Sequence, residues 1–132
     1  IWSATSVSEL ERNGRHCERY NRLHPEEYAK VSHLAKLLKG TDPVIAATDY
    51  VRAYPQLIAP YVNASFKCLG TDGFGRSDVR DVLRRFFEVD RHQIVLAALD
   101  SLSQEGKVDR KMLTKAIDLY GIAVDTPDPW SI

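Results

Sequence analysis

Apolar residues recur along most of the chain at helical spacing, and in a few places they close up into short continuous runs. Val79, Leu83, Phe86 and Phe87 stand at i, i+4, i+7 and i+8, with Arg80, Asp81, Arg84 and Arg85 on the other faces. That stripe predicts an amphipathic helix. Ile94, Val95, Ala98, Leu99 and Leu102 predict a second, stopped at Gly106; Met112, Leu113, Ala116, Ile117 and Tyr120 predict a third, closed by Gly121. Upstream, Val7, Leu10, Cys17 and Tyr20 line a longer helix with a weak point at Asn13-Gly14, and Val31, Leu34, Leu37 and Leu38 mark another, ended by Gly40. Residues 51–62 read as helical too, kinked or shortened by Pro55 and Pro60. The continuous runs are Val44-Ile45-Ala46-Ala47-Thr48 and Phe66-Lys67-Cys68-Leu69-Gly70. Both read as strands of a parallel sheet, the first of them covered on both faces. Ile1-Trp2-Ser3-Ala4-Thr5 is expected to be a third strand.

Strands alternating with helices predict one α/β domain over residues 1–132 with a mostly parallel sheet. The tail from Asp125, carrying Pro127 and Pro129, is expected to run over the surface with Trp130 pinning it.

Charge narrows the partners. Eighteen Lys and Arg balance 18 Asp and Glu in 132 residues, so nothing resembles the basic face that nucleic acid or an anionic membrane requires. The longest apolar run, residues 94–99, is far short of the roughly 20 residues that span a bilayer. Cys17 and Cys68 form no C-x-x-C pair, which points away from a disulfide framework or a zinc site and toward a reducing, cytoplasmic setting. The chain opens at Ile1, inside what reads as a strand, as expected of a piece of a longer protein.

Candidate chemistry gathers at the carboxyl ends of the strands. Gly70-Thr71-Asp72-Gly73-Phe74-Gly75-Arg76-Ser77-Asp78 follows one strand and opens a helix, where an anion could meet unpaired N–H groups with Arg76 as partner. Its G-x-x-G-x-G spacing matches neither the P-loop nor the dinucleotide fingerprint, so a tight turn with Ser77 or Asp78 as helix N-cap is the plainer reading. Phe74, between two glycines, is expected to cover something. Asp49, after the other strand, reads as an N-cap. His16, His24, His33 and His92 read as solvent-facing or packing residues. Arg80, Arg84, Arg85 and Arg91, interleaved with Asp78, Asp81, Glu88 and Asp90, read as a salt-bridged face. No catalytic, cofactor-binding or metal-ligating set emerges.

Several blocks nevertheless carry a family resemblance. Glu9-Leu10, Arg15-His16-Cys17-Glu18-Arg19-Tyr20-Asn21, Leu23-His24-Pro25, Ala47-Thr48-Asp49-Tyr50, the 69–78 segment, Leu83-Arg84 and Phe87-Glu88-Val89-Asp90 resemble the C-terminal domain of homodimeric-type pyruvate dehydrogenases. More distantly, they resemble the last domain of transketolases. The resemblance implies a three-layer α/β/α fold with a wider mixed sheet, of which this chain lacks the first strands. It also implies that the gap between residues 1–5 and 44–48 is filled by other polypeptide, or that the sheet rearranges or self-associates. The function implied is that of a thiamine-diphosphate- and magnesium-dependent homodimer that oxidatively decarboxylates pyruvate and acetylates the lipoyl domain of an acetyltransferase partner. The cofactor belongs to upstream domains, so this chain is expected to hold none and to buttress the dimer. Asp49, Asp72, Phe74, Arg76, Ser77 and Asp78 are then expected to form an interdomain or entrance loop. The alternative is an independent interaction or small-anion-binding module that uses the 70–78 turn.

Overall fold

The computed structural model describes residues 1–132. Helix α1 (Val7–Leu23) opens on Ser6, whose hydroxyl accepts the Glu9 N–H at 3.3 Å, and runs unbroken through the Asn13-Gly14 step. Both residues have another use there. Gly14 makes room for Tyr61, whose ring carbons a β-carbon would approach to 2.6 Å, and the Asn13 side-chain oxygen accepts the His33 N–H at 2.7 Å. That bond lands on the first turn of α2 (His33–Leu37), which Ser32 caps by accepting the Ala35 N–H.

Strands β1 (Val44–Ala47) and β2 (Phe66–Leu69) pair in parallel, with Val44 beside Phe66 and Ala47 beside Leu69. Their crossover holds α3 (Ala53–Gln56) and a 3-10 turn, Ala59–Tyr61, instead of one helix over 51–62. Pro60 has no N–H to offer the Gln56 carbonyl and its ring would collide with it, so α3 cannot pass that point.

Val44 and Phe66 pack against the main core of Val7, Leu34, Ile58 and Val62, contributed by α1, α2 and the crossover. One residue further on, the two-residue period of a strand turns Lys67 to the opposite face. There its ammonium bonds the Asp100 carboxylate of α5 (Arg91–Gln104). Asp90 caps α5 by accepting the His92 and Gln93 N–H groups, each at 2.9 Å. Gly106, at φ +72°, follows its last turn, and Gly121, at φ +61°, closes α6 (Lys111–Tyr120), so both expected glycine stops hold. Helix α4 (Arg80–Phe86) ends in the same kind of turn without a glycine. The Val89 N–H reaches the Arg84 carbonyl at 2.9 Å and the Glu88 N–H the Arg85 carbonyl at 3.2 Å, with Glu88 at φ +57°. A left-handed residue bearing a β-carbon costs roughly 1–2 kcal/mol.

Two expectations about the sheet are corrected. Residues 1–5 form no strand, and Ile1 and Trp2 are exposed. A strand exists by laddering to a neighbour, and these residues lie beside none. The 44–48 run has the core on one face and α5 on the other, but the cover is incomplete: no residue of β1 is fully buried and Ala47 is exposed, and a sheet two strands wide also leaves one edge of each strand open. The whole chain exposes 9516 Å². A compact monomer of its 14.9 kDa would expose about 7,000 Å². No helix is long and apolar enough to cross a membrane.

Candidate functional site

Parallel pairing brings the carboxyl ends of β1 and β2 to the same side, the position at which open α/β sheets bind ligands. The two loops that leave there are stitched together. The Thr71 N–H donates to the Tyr50 carbonyl at 2.9 Å and the Thr71 hydroxyl to the Asp49 carbonyl at 3.0 Å. Gly70 permits that approach, since a β-carbon there would lie 2.7 Å from both the Tyr50 carbonyl oxygen and Arg52 Cγ.

Asp72 turns inward. It accepts the Arg52 N–H at 2.9 Å and, through its other oxygen, the Arg52 Nε–H. Burial pushes the Asp72 carboxyl up, but the hydrogen bonds and charge of Arg52 outweigh it and hold the group below the usual carboxylate range. The same guanidinium lies 4.8 Å from the ring centroid of Trp130. Gly73, at φ +98°, lets the tail lie against the turn, because a β-carbon on it would meet Trp130 Cα at 2.7 Å. Pro129 is buried beside it, and Trp130, itself 46% exposed, holds the tail against the turn through the Arg52 guanidinium.

Past Gly73 the loop faces outward. Phe74 is 75% exposed and covers nothing within this chain. The Arg76 guanidinium sits 4.0 Å from the Phe86 ring centroid, and Arg76, Ser77 and Asp78 edge a hollow of about 320 Å³ against α4. Neither Ser77 nor Asp78 caps that helix. Val79 is its N-cap with no side-chain bond, and Asp78 accepts the Val79 N–H at 2.7 Å one residue earlier.

Asp49 is not a cap either. The Thr48 hydroxyl accepts the Tyr50 N–H at 3.2 Å, and the N-cap of α3 is Arg52, which makes no side-chain cap bond. Asp49 instead lines a cleft of about 730 Å³ between the end of β1 and the α4–α5 turn, which also presents Asp81, Arg84, Arg85, Arg91 and His92. The six expected loop positions are thus divided: Asp49 in the cleft, Arg76, Ser77 and Asp78 at the hollow, Asp72 tied inward and Phe74 outward.

The arginines do not form the expected salt-bridged face. No guanidinium of Arg80, Arg84, Arg85 or Arg91 lies within 4.0 Å of a carboxylate; the ion pairs of the chain use other residues. Asp78 and Asp90 stand at helix starts, where unpaired backbone N–H groups compete for their oxygens. Sequence reading therefore missed the Arg52–Asp72–Trp130 clasp and the cleft's free arginines. The clasp joins residues far apart in the chain, so no local spacing marks it. His24 stacks on Tyr20 and His92 on Tyr120, at 4.2 and 4.5 Å, while His16 and His33 are exposed. No three His, Cys, Asp or Glu side chains converge to hold a metal ion.

Comparison with known proteins supplies the rest. The chain is 49% identical over its whole length to the pyruvate dehydrogenase E1 component of Cupriavidus necator, covering 15% of that protein. It is 48% identical over 98% of its length to the E1 component of Pseudomonas aeruginosa, covering 15% of it. For the E1 component of Escherichia coli K12 the figures are 42% identity, 98% of this chain and 14% of the relative. The chain therefore spans about 15% of the length of the relatives it matches. Residues 1–90, more than half of it, match the transketolase-like TK C-terminal domain, and the chain belongs to that family.

Proposed function

We propose that the chain is the C-terminal, dimer-buttressing part of a thiamine-diphosphate-dependent pyruvate dehydrogenase E1 component. The whole enzyme, a cytoplasmic homodimer in this reading, oxidatively decarboxylates pyruvate and transfers the acetyl group to a lipoyl-bearing acetyltransferase. The similarity at 42–49% identity to enzymes so named is the observation that carries the proposal. The physical character of the chain agrees with a supporting role. It exposes roughly 2,500 Å² more than a compact monomer of its mass, an area on the order of a permanent interface. Exposed Trp2, Tyr28 and Phe74, together with the open edges of β1 and β2, are surfaces that a neighbouring domain or subunit would cover. Upstream polypeptide would widen the sheet and complete a three-layer α/β/α domain.

The residues present do not suit the cofactor. No set of three carboxylates, imidazoles or thiols is placed to ligate the divalent ion that a diphosphate needs, so its ligands belong to other segments and no catalytic step is assigned to this chain.

The test compares the full-length polypeptide with a version lacking these 132 residues. The full-length protein should sediment as a dimer and acetylate a lipoyl domain from pyruvate in the presence of thiamine diphosphate and magnesium, and the shortened one should lose both properties. Pyruvate turnover by the 132-residue chain alone, or an unimpaired dimer without it, would overturn the proposal.

A further inference from the structure

Gly73 differs from the other glycines of positive φ. Gly106 and Gly121 stop helices, and a β-carbon on either would meet nothing within 4 Å. Gly73 stops no helix. A β-carbon there would lie 2.7 Å from Trp130 Cα and 3.2 Å from the Pro129 carbonyl oxygen, so the backbone of the tail can rest on the turn only because that position is bare.

The tail is shaped for this seat. Pro127 and Pro129 fix two of its φ angles, which lowers the entropy lost when it docks. Pro129–Ser131 make a 3-10 turn, in which the Ser131 N–H and hydroxyl both donate to the Asp128 carbonyl, at 2.9 and 2.7 Å. Pro129 is buried, and the Arg52 guanidinium lies 4.8 Å from the Trp130 ring centroid. Arg52 is at the same time bonded to both oxygens of Asp72, to one through its N–H and to the other through its Nε–H. One arginine therefore holds the tail and the loop after β2 together.

Different forces make the two halves of this junction. Hydrogen bonds from Thr71 and the Arg52–Asp72 ion pair tie the loop to residues 49–52. The tail meets the same place through packing and a cation–π contact, and the hydrogen bonds of residues 123–132 stay within the tail. A contact of so few groups opens locally, at a fraction of the free energy of unfolding. Once it is open, Gly73 and Gly75 flank Phe74 as unobstructed pivots, since a β-carbon on Gly75 would also meet nothing within 4 Å.

We propose that residues 127–132 are a releasable strap across the loop after β2. Seated, the strap locks residues 71–73 and fixes the direction in which Phe74 and Arg76 leave the sheet; released, it lets that segment turn about Gly73 and Gly75. The inference is independent of the proposed enzyme function, because it rests on contacts made inside this chain.

Hydrogen exchange, read by mass spectrometry on the full-length polypeptide, tests the strap whether or not pyruvate is turned over. In wild type, exchange across residues 127–132 should be slower than in a free peptide of that sequence, and should not change with urea well below the unfolding transition. Trp130→Ala should speed exchange of the Arg52 and Thr71 N–H groups, now bonded to Asp72 and Tyr50, about tenfold while leaving α1 unchanged. Trp130→Phe, which keeps an aromatic face for Arg52, should restore most of that protection. Tail exchange as fast as in the free peptide, or accelerating with urea in step with α1, would overturn the proposal. So would Arg52 and Thr71 exchange left unchanged by Trp130→Ala, or a rise spread equally over α1.

Discussion

The loops that leave β1 and β2 start from the same side of one small sheet, yet they are held in opposite ways. The loop after β2 is fastened at its first residues by Thr71 to the 49–50 backbone, by Asp72 to Arg52, and by Gly73 against Trp130 of the tail. The polar groups of Thr71 and Asp72 are used up on the protein itself. The loop after β1 ends in Asp49, whose carboxylate has no partner and faces a cleft of unpaired arginines. Fastening makes a loop part of the scaffold. The charges around the cleft are left unmatched within this chain, with Asp49 and Asp81 standing among the arginines. The glycine-rich 70–78 segment, which draws the eye in the sequence, is in its first half a structural joint.

Substitutions separate the two loops by their effect on stability. Gly70→Ala should be the most damaging, because its β-carbon would press on the Tyr50 carbonyl and the Arg52 backbone at 2.7–2.8 Å, neither of which can step aside. A loss of about 2–4 kcal/mol by urea denaturation is expected. Asp72→Ala should cost less, about 1–2 kcal/mol, by stranding the Arg52 N–H and loosening the guanidinium over Trp130. Its effect should also depend on pH. The native Asp72 carboxyl is held below its unfolded value, so its contribution is fully present above roughly pH 4 and fades as the pH falls through the native value. Wild type and Asp72→Ala should therefore differ at neutral pH and converge in acid; a gap that stays constant would show that the ion pair is not its source. Glu88→Gly should act in the other direction, raising stability by about 1 kcal/mol as the left-handed strain is relieved. Arg84→Gln should change stability least, by no more than about 0.5 kcal/mol, since it breaks no ion pair. A large loss there would mean that the cleft arginines are structural, and the contrast between the loops would collapse.

Helices were the most legible part of the chain. The helices α4, α5 and α6 and the stops at Gly106 and Gly121 are written in local features, although of the first stripe only Leu83 and Phe86 fall inside α4, Val79 being its exposed N-cap and Phe87 its C-cap. The two strands that pair were legible for the same reason. Residues 1–5 were misread because an apolar, β-prone run says nothing of whether a neighbour exists to ladder with it. The arginines of α4 and α5 were misread because alternating charge suggests pairing, whereas helix starts draw Asp78 and Asp90 to the backbone. Phe74 was expected to cover something, and within this chain it covers nothing.

By itself, the sequence determined the helical segments, the paired strands, the family and the absence of a metal-ligand spacing, all of which are written in periodicity, turn residues and contiguous blocks. Tertiary structure alone decided which charges meet and which stay free: Arg52 reaches Asp72 across 20 residues of chain while Arg84, with acids close by in sequence, reaches none. Pairing depends on where backbone N–H groups, rings and carboxylates come to lie in space, and a one-dimensional pattern does not carry that distance.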